Sequence, residues 1–247
     1  FHLLVAVLMM TGYYVLFARI FQLLLVRLCA VGEKETVPPG RFTEFLMERH
    51  AFAGPLLFIL LCWSPYILAK FPGAAMPETL AEMRQYYWGM INNYYPPLHT
   101  VLLSLLMELG NAVWSYTFGF FLNLMVQLAL LLSAFSYGFV LMKRWRTPYM
   151  LRWLALGILC AVEYFPMEST VVEKDVPYTA CVIFLVLQLY ELVRRMREDG
   201  KLSAGQMLAL TASGLGAACF RNEGFYLTAA AGICMSVYAC RSLWRVD

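Results

Sequence analysis

Four short polar motifs interrupt an otherwise apolar chain. They are Phe71-Pro72-Gly73 with Glu78, Pro96-Pro97-Leu98-His99-Thr100, Lys174-Asp175, and Arg221-Asn222-Glu223-Gly224. Their side chains suit acid–base and phosphate chemistry. A carboxylate partly shielded by apolar walls, as Glu78 would be, can have its pKa raised toward neutrality and act as a general base. Lys174 and Arg221 can pair with phosphate oxygens, Arg with bidentate geometry. Asp175 can orient Lys174 or act on a hydroxyl, and His99 can bind a phosphate or a sugar hydroxyl. Each motif also has a plainer role. Glu78 suits the positive end of a helix. His99 can be simply hydrogen-bonded, and Lys174-Asp175 can be an ion pair capping a helix. Arg221 can snorkel onto Glu223 across the Asn222-containing turn.

Composition sets the surroundings of these motifs. The chain is 61% hydrophobic and 14% charged, whereas a soluble domain carries about 25% charged residues. That excess of apolar residues reads as an all-α, polytopic membrane protein. The net charge of +3 is no argument for nucleic acid, because the basic residues sit at the ends of apolar runs. The cysteines at 29, 62, 160, 181, 219, 234 and 240 form no CxxC pair. They read as small buried residues, with no disulfide framework or zinc site. There is no metal-ligand spacing, Gly-rich phosphate loop, HExxH or GxSxG, so no cofactor or metal is expected.

The elements that must hold the motifs follow from the apolar runs at 1–26, 52–69, 113–142, 148–163, 176–191, 202–220 and 225–240. A hydrocarbon core of about 30 Å takes about 20 helical residues, so 148–163 and 176–191 are short. Pro65 should kink the second helix. Residues 98–109 are too few to cross and predict an interfacial or re-entrant helix. If they do not cross, fourteen Lys and Arg residues, among them Arg27, Arg144, Arg195 and Arg241, share one side. Lys70, Arg84, Lys174 and Arg221 share the other. The positive-inside rule makes the first side cytoplasmic.

The expectation is therefore seven transmembrane helices plus a re-entrant helix, with every motif of the opening paragraph on the outer face. Residues 1–51 read as an accessory N-terminal helix and cytoplasmic linker, and 52–247 as the core. The outer loop from 70 to 97 is aromatic, and 78–90 predict a surface helix with acids in its first turn. Gln127 lies within the 113–142 run and is expected to face another helix. Both chain ends are apolar and read as cut, so a fragment is expected.

In order, Trp63-Ser64-Pro65-Tyr66, Phe71-Pro72-Gly73, Glu78-Thr79, Gln85, Pro96-Pro97-Leu98-His99-Thr100, Gln127, Lys174-Asp175 and Arg221-Asn222-Glu223-Gly224 resemble an uncharacterised bacterial family of multi-pass membrane proteins. That family is related to GT-C-type glycosyltransferases, and the resemblance covers about residues 52–226. The family pattern has Asp at position 78, often His-Pro at 96–97 and Asn at 223; the Glu at 78 keeps the acid and lengthens its reach. The resemblance implies a transferase using a polyprenyl-phosphate sugar at the outer face of a bacterial inner membrane. It further implies that the loop acid, Glu78, activates the acceptor, with Asp175 of the Lys-Asp pair as a second catalytic candidate, and that Lys174 and Arg221 hold the lipid phosphate, with His99, Gln127 and Asn222 as further substrate-binding residues. The acceptor-binding part of such enzymes is expected C-terminal to this sequence. A transporter or flippase would instead place charges at mid-span or in paired broken helices, and a non-catalytic subunit of envelope polysaccharide assembly would need no convergence of Glu78, Lys174 and Arg221.

The charge bias yields a labelling test. Single cysteines at 84, 174 and 221 should react with an impermeant thiol reagent in intact cells, and cysteines at 144, 195 and 241 only after permeabilisation. Labelling at 84 that requires permeabilisation would invert the topology.

Overall fold

The computed structural model describes residues 9, 11–20, 22–23, 40–90, 94–198 and 204–243. Side chains of the last helix are described to 237. The described part is helical throughout, apart from turns and a two-residue parallel bridge. Residues 11–20 are helical; the rest of the expected first span lies largely outside the described residues.

The numbered elements begin with α1 (Arg41–Arg49) and α2 (Ala53–Ala69), which meet at a bend of 108°. The sequence reads 30–51 as linker, but α1 is folded and packed. Leu46 and Met47 are buried in the main core. Arg152 Nη1 donates to Glu48 Oε1 at 2.7 Å, and Tyr149 Oη to the same oxygen at 3.1 Å. Pro65 lies inside α2 as expected. Trp63 is fully buried and its indole N–H donates to the Leu159 carbonyl at 2.9 Å.

Beyond α2 the chain turns through Phe71-Pro72-Gly73, with a cis bond before Pro72. Gly73 has φ +133°, a region that only glycine enters cheaply. A side chain there would also press on Phe120 and Val172. Strand β1 (Ala74–Ala75) leads into α3 (Pro77–Tyr87), which opens with Pro77 in its first turn. A helix is expected at 78–90, and α3 matches it with its bounds a few residues earlier.

Next come α4 (Pro97–Val113) and α5 (Tyr116–Arg144), joined by a tight turn. Ser115 starts α5 by accepting the Phe118 amide on its Oγ at 3.2 Å. The two helices form an antiparallel hairpin. Gly110 lies against Gly119 so closely that a Cβ on either would enter the other helix's backbone; at Gly119 it would stand 2.7 Å from the Met107 carbonyl. Asn123 Nδ2 donates to the Leu103 carbonyl at 3.1 Å. The start of α4, at His99, lies beside Gln127. Helix α4 thus covers only the first half of α5 and ends far from Arg144. It runs longer than the expected 98–109, yet it does not traverse the length of its partner.

The chain continues through α6 (Tyr149–Ala161), α7 (Tyr164–Ser169) and β2 (Val171–Val172) to α8 (Asp175–Glu198), α9 (Ala204–Phe220) and α10 (Asn222–Leu243). β2 pairs in parallel with β1, Ala74 with Val171 and Ala75 with Val172. Thirteen residues make α6 about 20 Å long, too short for the span expected at 148–163. The run 176–191 is instead part of the 24-residue α8. Among the described residues, α5 and α8 are each long and apolar enough to cross a membrane, and the bent α1–α2 pair passes together. Helices α4, α6 and α9 are shorter apolar helices.

The glycine contact between α4 and α5 leaves no room for a side chain. Gly119→Val should therefore lower the thermal midpoint of the detergent-solubilised protein clearly, as overpacking typically costs about 1–3 kcal/mol. Gly157→Ala, where a Cβ meets nothing within 4 Å, serves as the control. Equal midpoints for the two variants would show that the hairpin does not depend on this contact.

Candidate functional site

The polar motifs meet on one end of the molecule, at the start of α8. Gln127, a buried polar side chain of α5, prepares the place. Its Nε2 donates to the carbonyls of Val171 at 2.5 Å and Ser169 at 3.0 Å. Its Oε1 accepts the Glu173 amide at 3.4 Å. Thr79 of α3 adds a bond to the Val172 carbonyl at 2.6 Å. The backbone from Ser169 to Glu173 is thereby fixed against both α5 and α3, and Lys174 and Asp175 follow directly.

Lys174 and Asp175 do not serve as each other's ion-pair partners. Lys174 Nζ lies 2.6 Å from Glu78 Oε2 and 4.9 Å over the Tyr95 ring. Its side chain is 13% exposed, and that of Glu78 is 54% exposed. Burial works against the charge on Lys174, but the hydrogen bond and charge of Glu78, with Glu82 and Asp175 behind it, hold its pKa above the ordinary lysine value. Asp175 Oδ1 instead faces Arg221 Nη1 at 3.2 Å. Arg221 reaches Glu223 through Nε at 3.1 Å and lies over the Tyr178 ring at 5.7 Å. Neighbouring residues 174 and 175 therefore draw Glu78 and Arg221 to one place from opposite ends of the sequence. Exposed pairs of this kind contribute only about 0.2–1 kcal/mol each, so both cations can be drawn to another anion.

Beside these pairs lies a cavity of about 440 Å³. Asp175, Glu173, Glu168 and Arg221 line it, with Tyr164, Phe165 and Tyr178 among its aromatic walls. Glu173 forms no ion pair among the described residues. Burial, followed by the charges of Asp175 and Glu78 and a hydrogen bond to Asp175, pushes its pKa up. A carboxyl group in that state can both take and give a proton nearer neutrality.

His99 occupies a separate position. Its Nδ1 lies 2.5 Å from Glu82 Oε2, and both residues are buried, at 5% and 1% exposure. This pair joins α3 to α4 beneath the Glu78–Lys174 contact. His99 and Gln127 line a small void of about 40 Å³ and not the 440 Å³ cavity. Asn222 is exposed at the first position of α10. The structure thus groups Glu78, Lys174, Asp175 and Arg221 at the surface, and sets His99 and Gln127 in the layer that supports them. Sequence reasoning missed Glu82 and Glu173 as site residues. Glu82 stands four residues from Glu78 on α3 and so shares its face, and Glu173 precedes the Lys-Asp motif directly. No group of three or more His, Cys, Asp or Glu side chains able to hold a metal occurs among the described residues.

A helical protein with membrane-length helices and charged groups gathered at the ends of its α8 helix is the class these features define. Residues 86–247, about two thirds of the chain, match the model of a family of unknown function (DUF6020), and the chain belongs to that family. The match takes in His99, Gln127, Lys174, Asp175 and Arg221 and begins after Glu78 and Glu82. No curated protein and no solved structure matches the chain.

The buried Glu82–His99 pair gives a stability test. Glu82→Ala leaves His99 buried without its partner and should cost about 1–3 kcal/mol, as leaving a buried polar group unsatisfied does. Glu82→Gln, which keeps an acceptor, should cost less. Denaturation followed by Trp fluorescence measures both. A loss no greater than that of Glu78→Ala would show that the pair does not hold α3 to α4.

Proposed function

We propose that this chain is a membrane glycosyltransferase, acting on a polyprenyl-phosphate sugar at the outer face of a bacterial inner membrane, in a GT-C-like fold. The observation that carries the reading is that adjacent residues 174 and 175 hold Glu78 and Arg221 in ion pairs beside a carboxylate-lined, aromatic-walled cavity, which Arg221 and Asp175 line and Lys174 adjoins in sequence. The two cations suit a lipid phosphate, the aromatic and carboxylate walls suit a sugar, and the ordered motifs resemble those of GT-C relatives.

The resting ion pairs give the mechanism its order. An arriving phosphate competes with Glu78 for Lys174 and with Asp175 and Glu223 for Arg221. Glu78, freed from Lys174, accepts the proton of an acceptor hydroxyl. The acceptor oxygen forms a bond to the anomeric carbon as the bond from that carbon to the phosphate oxygen breaks. The leaving polyprenyl phosphate carries the electron pair as negative charge, which Lys174 and Arg221 stabilise. A single displacement of this kind inverts the anomeric centre. Asp175 holds Arg221 in place, while His99 and Gln127 keep the backbone beneath in position.

The test is transfer from a polyprenyl-phosphate sugar by the full-length protein in liposomes. Glu78→Gln should lower turnover at least about 10²-fold, the lower end of what a positioned general base contributes. Donor binding should stay intact, since Lys174 loses only a competitor. Arg221→Ala should weaken donor binding about tenfold by removing a charge-assisted contact. Full activity in Glu78→Gln would move the base to Glu173 or Asp175. Absence of transfer from every donor tried would reject the enzyme and leave the transporter reading.

A further inference from the structure

Two cysteines that look isolated in the sequence meet between α2 and α6. The two helices lie side by side in a register fixed by their large side chains. Phe58 of α2 meets Trp153 of α6 edge to face, with ring centroids 6.4 Å apart. Further along both helices, the fully buried Trp63 donates its indole N–H to the Leu159 carbonyl at 2.9 Å. Cys62 and Cys160 are the chain neighbours of these two residues, and their thiols hydrogen-bond to each other. Both are free, half-buried and packed against the main core. Sulfurs in hydrogen-bond contact need only a small side-chain rotation to reach bonding distance.

The place of the pair in the fold gives it leverage. Helix α2 runs through the Phe71-Pro72-Gly73 turn into β1 and on to Glu78, while α6 runs through α7 into β2 and on to Lys174. The β1–β2 bridge joins these two arms at one point, and Lys70 joins them at another by donating to the Met167 carbonyl at 3.3 Å. The thiols lie at a third. Cys62 stands two turns before Lys70, and Cys160 is the second-last residue of α6. Val162 and Glu163, just beyond, are exposed, so a reagent reaches the Cys160 end of the pair from the polar end of the molecule.

We propose that Cys62 and Cys160 are a modification site, a dithiol that closes reversibly to a disulfide and locks α2 to α6. The oxidant class is a low-molecular-weight disulfide. Cys160 loses its proton and attacks one sulfur of the reagent, whose other half leaves as a thiolate. Cys62, deprotonated in turn, attacks the Cys160 sulfur of the mixed disulfide and expels the second half. One S–S bond forms in the protein as one breaks in the reagent, and the two thiol protons and two electrons end on the two released reagent thiols. The second displacement is intramolecular between groups already in contact, so it outruns capture of Cys62 by another reagent molecule. Excess thiol reverses the sequence. Cross-linking positions so far apart in the chain restricts the unfolded state and stabilises the folded one. The site does not rest on the transferase reading.

The experiment treats the intact, folded chain in detergent with dithiodipyridine, blocks remaining thiols with N-ethylmaleimide and maps the peptides by mass spectrometry. Most chains should carry residues 62 and 160 in one cross-linked peptide. The thermal midpoint should rise on oxidation and return on reduction. Cys62→Ser and Cys160→Ser should each abolish both the cross-link and the shift. Cys219→Ser, which alters an exposed thiol of α9, should abolish neither. The unsubstituted chain carries the main result, so a folding defect in a variant does not decide the matter. Recovery of 62 and 160 as separate adducts after oxidation, or their cross-linking to other cysteines, would overturn the site. A 62–160 cross-link that leaves the midpoint unchanged would overturn the lock.

Discussion

Gln127 spends its whole amide on backbone. It lies near the middle of α5, where an unpaired polar group would be costly, and its three hydrogen bonds go to Ser169, Val171 and Glu173. Without them the short crossover between α7 and α8 would leave backbone groups unsatisfied in a nearly dry setting. With them, β2 is held beside β1, Thr79 can bond to Val172, and α8 starts at a defined height and rotation. Residues 174 and 175 inherit their directions from this. The meeting of Glu78 with Lys174, and of Arg221 with Asp175, thus depends on an uncharged side chain that touches none of them.

The charges sit where the helix ends place them. Helix α8 begins with Asp175 facing Arg221 and finishes with Glu191 among Arg144, Arg194 and Arg195. Among the described side chains, the acids outnumber the cations at its first end, and the reverse holds at its last end. Exposure separates the ends as well. Glu191 is buried and multiply bonded, whereas Glu78 and Glu223 are open to solvent. One end is built to keep its contacts, while the other holds weak contacts that a ligand can replace.

Much of this was legible in the residues, and the failures have physical reasons. The helix at α3 followed from Pro77 and its acids. The shortness of α4 beside α5 agrees with the short apolar run at 98–109. Gln127 was expected to face a helix, yet its targets, carbonyls more than forty residues away, are set by a crossover that periodicity does not encode. Lys174 and Asp175 looked like a local pair because they are adjacent, but at a helix start they point to different neighbours. The apolar run 176–191 seemed short because Glu191, Arg194 and Arg195 interrupt it. The helix continues since those charges satisfy one another. Conversely, 148–163 looked like a span, and α6 breaks before Glu163, where the chain must turn into α7 to reach the crossover. Residues 30–51 look like a linker by composition, but the burial of Leu46 and Met47 and the contacts of Glu48 with Arg152 and Tyr149 bind α1 to the core.

The length of α5 has a consequence for the membrane that holds it. Its 29 residues extend about 43 Å, well beyond a hydrocarbon core of about 30 Å. Counted from Arg144, Gln127 stands 17 residues along, or about 25 Å. With Arg144 at one layer of headgroups, the layer carrying Lys174 and Asp175 falls close to the opposite edge of the hydrocarbon, and the Trp114 tip stands beyond it. Hydrophobic mismatch then acts on hydration. In a thin bilayer the ion pairs stand in water and exchange partners readily. In a thick one the same pairs are drawn toward lipid, and their mutual attraction strengthens as the local dielectric falls.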